Sequence, residues 1–170
     1  MMNSKLFSLF LVSVLCFSTA LAQTEKKMMK EAKSYAKAMK KGDWDKVVEL
    51  TYPEIVKLAG GNKRYVQQSK NSALLMERQG FTIDKAELSS PSDTVSDGDK
   101  LLSVIPMRLT FDGPLGKLYS ESSILGISND KGKTWTFISV SQTGLDEIVK
   151  LFPEATRKLA FPIKKVYQDN

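Results

Sequence analysis

The apolar residues of this chain change their rhythm once, at Gly80–Phe81, and that single change most restricts what the chain can fold into. Before it, apolar side chains recur every three to four residues, the spacing of one helix face. After it they alternate or run together, as in strands. The first helical stripe is Met28, Met29, Ala32, Tyr35, Ala36 and Met39 within 25–41, with Thr24 as the expected N-cap and Gly42 as the stop. Asp43 is placed to cap a second helix from Trp44 to Thr51, which Pro53 interrupts or restarts and which Ile55, Val56 and Leu58 carry on to Gly60–Gly61. Asn62 is expected to cap a third, Lys63 to Gln79, with Tyr65, Val66, Ser69, Ala73 and Met76 inward and Gly80 past its end.

Four strands are expected beyond that point: Phe81–Leu88, Leu101–Phe111, Lys117–Ser128 and Thr134–Ser141. Residues 89–99 read as a polar loop. Pro106 predicts a bulge or an edge position, because proline cannot donate to a ladder. Thr143 should cap a short helix, Leu145–Phe152, stopped by Pro153, and the tail should pack partly through Leu159, Phe161, Ile163, Val166 and Tyr167. Helices first and strands after predict an α+β domain: three N-terminal helices packed on one face of a curved four-stranded antiparallel sheet, with a short C-terminal helix.

Residues 1–22 have the zones of an export signal. Lys5 is the only charge, the stretch from Leu6 to Phe17 is almost wholly apolar, and Ala20-Leu21-Ala22 supplies small residues for a signal peptidase. The apolar stretch is shorter than the roughly 20 residues of a membrane span, so removal after Ala22 is expected, leaving one domain over 23–170, periplasmic or secreted, without a membrane span. Cys16 is the only cysteine, and Leu15 before it argues against a lipid-attachment site. The exported domain therefore relies on no disulfide and offers no thiol. The chain also has no histidine, which removes Ser-His triads, most zinc and copper sites and the usual base near neutral pH. No cofactor is expected. The net charge of +6 is spread along the chain, with Lys26, Lys27, Lys30, Lys33, Lys37, Lys40 and Lys41 on the solvent side of the first helix. It lacks the interleaved aromatics of a nucleic-acid surface, so no nucleic-acid partner is expected.

The sharpest local motif is Ser128-Asn129-Asp130-Lys131-Gly132-Lys133-Thr134-Trp135. It matches the Ser-x-Asp-x-Gly-x-Thr-Trp pattern at every fixed position and so resembles the Asp-box hairpins of sialidase-type β-propellers. In those proteins the box organises a turn, with the tryptophan packed beneath it, and is not catalytic. One copy in a chain of this length does not make a propeller; it predicts a well-specified hairpin.

A wider order is carried by Gly42-Asp43-Trp44-Asp45-Lys46-Val47-Val48-Glu49-Leu50, then Tyr52-Pro53-Glu54, then Gly60-Gly61-Asn62. Over roughly residues 25–141 it resembles the nuclear-transport-factor-2-like proteins of the cystatin-like superfamily, in which helices close a cone over a bent sheet. The connection Tyr52–Gly61 departs from that pattern, being too short for the hairpin that often walls the pocket. The resemblance implies ligand contacts at Trp44, Tyr52, Tyr65, Arg108, Glu121 and Trp135. Counting from the turn at 112–116 sets Arg108 opposite Glu121 on neighbouring strands, where they are expected to pair as a solvent-face ion pair. It implies a non-catalytic binding or accessory protein that takes a small apolar ligand, or pairs with a protein partner or a second copy through its sheet. The alternative is a small isomerase or lyase working through a pocket carboxylate, Glu121 or Asp112, with Tyr52 or Tyr65.

Overall fold

The computed structural model describes residues 4–168, with side chains over 23–168 apart from position 142. The side chains of the expected leader, Cys16 among them, lie outside the described residues. Helix α1 runs from Ser4 to Lys41, so Thr24 lies inside a continuous helix and is not an N-cap. Its stripe is as expected: Met28, Ala32, Tyr35, Ala36 and Met39 are buried and the intervening lysines exposed. Gly42, at φ +68°, ends it. Asp43 caps α2 (Trp44–Leu50) by accepting the Lys46 N–H at 3.1 Å, a bond worth about 1 kcal/mol.

Pro53 starts a separate helix, α3 (Pro53–Leu58), where its missing N–H costs nothing. The α2–α3 junction runs along the edge of the sheet, with the Tyr52 N–H donating to the Phe137 carbonyl at 3.0 Å. Helix α4 (Asn62–Arg78) takes Gly61, not Asn62, as its N-cap. Its inward stripe is only half-covered, and Leu74 and Leu75 remain exposed.

The antiparallel sheet has six strands rather than four, and it is open. β1 (Thr82–Leu88), β3 (Lys100–Gly113), β4 (Gly116–Ser128) and β5 (Thr136–Ser139) follow in that order across it. β2 (Val95–Asp97) lies in the stretch read as loop and pairs with β3, and β6 (Lys165–Gln168), from the tail, pairs with β4. β5 is shorter than expected because the chain turns into α5 (Val140–Thr143). α6 (Leu145–Leu151) follows, with Gly144 rather than Thr143 at its N-cap. Pro153 then opens α7 (Pro153–Thr156).

Pro106 causes neither a bulge nor an edge in the β3–β4 ladder, where it faces Ser123 in unbroken register. Strand β1 ends at the pair Leu88–Met107 beside it, and there the Pro106 carbonyl is used, accepting the Ser89 N–H at 3.0 Å. The register shift lies instead in β1, between Ile83 and Lys85.

Strand alternation sorts the sheet's side chains to two faces, and both carry apolar cores. On one face Ile105, Met107, Leu109, Phe111, Ile124 and Phe137 meet α1 and Val47. On the other, Leu102, Val104, Leu125, Ile127 and Ile138 meet Tyr52, Ile55, Ile148, Phe152, Ala155 and Leu159. The helices therefore do not all lie on one face: α6 and α7 cover one end of the opposite face. Among the described residues, no helix covers the rest of that face, from Arg108 and Glu121 to Asp112 and Lys117.

Candidate functional site

The hairpin between β4 and β5 is built as the sequence motif requires. Asp130 accepts from Ser128 Oγ at 2.8 Å, from the Thr134 N–H at 2.8 Å and from Thr134 Oγ1 at 2.7 Å. Those bonds, the Thr134 backbone first, lower its pKa to about 2. Ser128 Oγ takes the Gly132 N–H at 2.8 Å, and Trp135 Nε1 donates to the Gly132 carbonyl at 3.3 Å. Lys131 and Gly132 adopt positive φ. A Cβ on Gly132 would run into Thr24 Cγ2, so the turn is seated directly on α1. Glu31 of α1 holds it there, accepting the Trp135 N–H at 2.7 Å.

Trp135 is thereby a core side chain, 2% exposed and packed with Met28 and Phe137 around Gly126. Tyr52 is buried on the other face, its ring tilted against Phe152 with centroids 5.5 Å apart. Tyr65, half-buried on α4, accepts from Thr51 Oγ1 at 3.4 Å. The fully buried Tyr35 hydroxyl has no hydrogen-bond partner among the described residues, and its burial pushes the phenol pKa up. Trp44 packs half-buried against the α1-side core.

Arg108 and Glu121 do pair, opposite each other in register, with Arg108 Nη2 2.6 Å from Glu121 Oε1. They stand on the face turned away from α1, and both side chains are at least a third exposed. Tyr167 of β6 adds its hydroxyl to the same oxygen at 3.0 Å and stacks on Tyr119, centroids 5.3 Å apart. The Arg108 bond, then the Tyr167 bond, lower the Glu121 pKa. Glu121 is thus an ionised, partly exposed member of an outer-face ion pair rather than an acid held neutral by burial. Asp112 is likewise engaged, sharing Lys117 with Asp84 at 2.8 and 2.7 Å. The structure thus binds these carboxylates to cations on the outer face. Tyr52 and Tyr65 have other partners.

The six expected site residues do not converge. Trp44 and Trp135 belong to the helix-covered side and Tyr52 to the second core, while Tyr65 packs against both. Arg108 and Glu121 line a groove of about 700 Å³ on the uncovered part of the outer face. Glu87, Pro106, Pro162, Ile163 and Lys165 also line it, and Ile163 is 83% exposed. The tail's part in this groove, through Pro162, Ile163 and Lys165, is not among the contacts the sequence pattern indicates. The signal was present in Val166 and Tyr167, two strand-favouring residues after a proline. A second depression of about 520 Å³ lies among Val48, Thr51, Pro53, Val56 and Gly60–Asn62.

Among the described residues there is no cluster of three metal-ligating side chains, and no helix long and apolar enough to cross a membrane. No family model and no curated protein matches the chain.

Proposed function

We propose that the chain is an exported, non-catalytic binding or accessory domain of the nuclear-transport-factor-2-like kind, and that it meets a polypeptide partner through the uncovered part of its outer sheet face. The leader over residues 1–22 takes it across a membrane and is removed after Ala22, leaving residues 23–170 in the periplasm or outside the cell. The observation that carries the binding site is the groove beside Arg108 and Glu121. A small apolar ligand inside the cone has less support, because Tyr35, Phe137, Trp135 and Met28 fill that space as fully buried side chains.

The groove's chemistry favours a polypeptide over a polyanion. Arg108 and Lys165 stand beside Glu87 and Glu121, so opposite charges largely cancel and little net field reaches an anionic polymer. Pro106, Pro162 and Ile163 add apolar surface between them, the mixture of a rim and core found where proteins meet.

The test is native mass spectrometry of the protein isolated from its own envelope, as wild type and as Ile163→Arg and Leu75→Arg variants. A polypeptide adduct of defined mass, a second copy included, is expected on the wild type and on Leu75→Arg and is lost on Ile163→Arg. An adduct indifferent to Ile163→Arg, or a retained small molecule in its place, overturns the reading.

A further inference from the structure

We propose that Gln23 is a modification site, at which the new terminus closes to a pyroglutamyl residue once the leader is removed; this rests on the export reading above. The sequence places the glutamine directly after Ala22, so cleavage there makes it the first residue. Gln23 is exposed on α1. Its neighbour Thr24 is seated against Gly132 of the Asp-box hairpin, and Glu31 holds the Trp135 N–H at 2.7 Å. The helix is therefore fastened to the hairpin from the second mature residue onward, while the side chain of Gln23 is exposed.

That placement favours the chemistry. Cleavage after Ala22 would make residue 23 the first of the remaining helix, so that its ammonium sits at the positive end of the helix dipole, beside Lys26 and Lys27. The neutral amine is the nucleophile. The amine nitrogen attacks Cδ of the Gln23 side-chain amide. A new N–Cδ bond closes a five-membered lactam, the bond from Cδ to the amide nitrogen breaks, and that nitrogen leaves as ammonia with the proton given up by the amine. The step is intramolecular and needs neither oxidant nor co-reactant. Its product removes the unfavourable charge and closes the chain to aminopeptidases at the helix that carries Met28, Ala32 and Tyr35 into the core.

The experiment is intact-mass and N-terminal peptide analysis of the full chain, expressed with its leader and isolated from the envelope. The expected species is residues 23–170 lighter by about 17 Da, the mass of ammonia. The loss maps to the N-terminal peptide, and pyroglutamyl peptidase digestion removes the blocked residue. Gln23→Ala, and Gln23→Asn, whose ring would have only four members, should start at the same position with full mass. A 23–170 chain with a free amine overturns this inference and leaves export standing. A chain starting anywhere else overturns both, and a loss that persists in Gln23→Ala belongs to another residue and overturns this one.

Discussion

Replacing Asp130 with alanine removes the centre of the Asp-box turn, and the structure sets the size of the effect. Three bonds go: Thr134 N–H, Thr134 Oγ1 and Ser128 Oγ, all between 2.7 and 2.8 Å. A carboxyl lowered from its ordinary 3.8 to about 2 corresponds to about 2 kcal/mol of folding stability at neutral pH before screening. Asp130 is partly exposed, so about half of that, roughly 1 kcal/mol, is the contribution of the charge. The unsatisfied Thr134 N–H and the freed turn bring the total for Asp130→Ala to about 2 kcal/mol. Asp130→Asn keeps one acceptor and should lose about 1 kcal/mol.

The pH dependence has a definite sign. Because the folded pKa is depressed, the charge stabilises the protein above about pH 4 and its contribution disappears as the pH falls from 4 toward 2. Urea unfolding followed by tryptophan fluorescence, on wild type and Asp130→Asn between pH 2 and 7, reads the difference directly. The gap between the two should be flat near neutrality and close across that window. A gap that is absent at pH 7, or that keeps its size at pH 2, refutes the account of the turn.

Gly132→Ala places a side chain at φ +88° and against Thr24; a loss of about 2 kcal/mol or more is expected in urea unfolding. Adding Thr24→Ala should restore the contact part of that loss and not the backbone part. Glu31→Ala leaves the Trp135 N–H without its acceptor and should cost about 1–2 kcal/mol, with Glu31→Gln retaining part of the bond; thermal melts measure both. Exchanging Arg108 and Glu121 together for methionine and glutamine should disturb stability less than Asp130→Ala does, and the effect should shrink as salt is raised, because the pair is solvent-facing. A large, salt-insensitive loss there would mean that the pair is buried in solution.

The parts of the fold legible in the sequence are those whose signal is local. The α1 stripe, the Asp43 cap and the Asp-box hairpin each depend on residues within one or two turns of one another, and the structure contains all three. The Arg108–Glu121 pair was readable too, because a tight turn fixes the register of the two strands it joins. What could not be read depends on distant partners. β6 is four exposed residues whose strand conformation comes from pairing with Leu118–Glu121, more than forty residues earlier. Pro106 suggested a break, yet it is accommodated because β1 ends beside it. Helices α6 and α7 cross to the opposite face because Leu102, Val104 and Leu125 offer an apolar surface there. For the candidate site, the individual residues were visible but their grouping was not: Trp135 and Tyr52 are aromatic because the cores need them, and no spacing rule separates that use from binding.

Photo-crosslinking in the native envelope reads whether contact is made through the outer sheet face. A photoreactive side chain at Ile163, in the groove, is compared with one at Leu75, exposed on α4. One discrete polypeptide adduct is expected from position 163, lost when Arg108 and Glu121 are both replaced, and none from position 75. Adducts from position 75 alone, or from neither position, would contradict it.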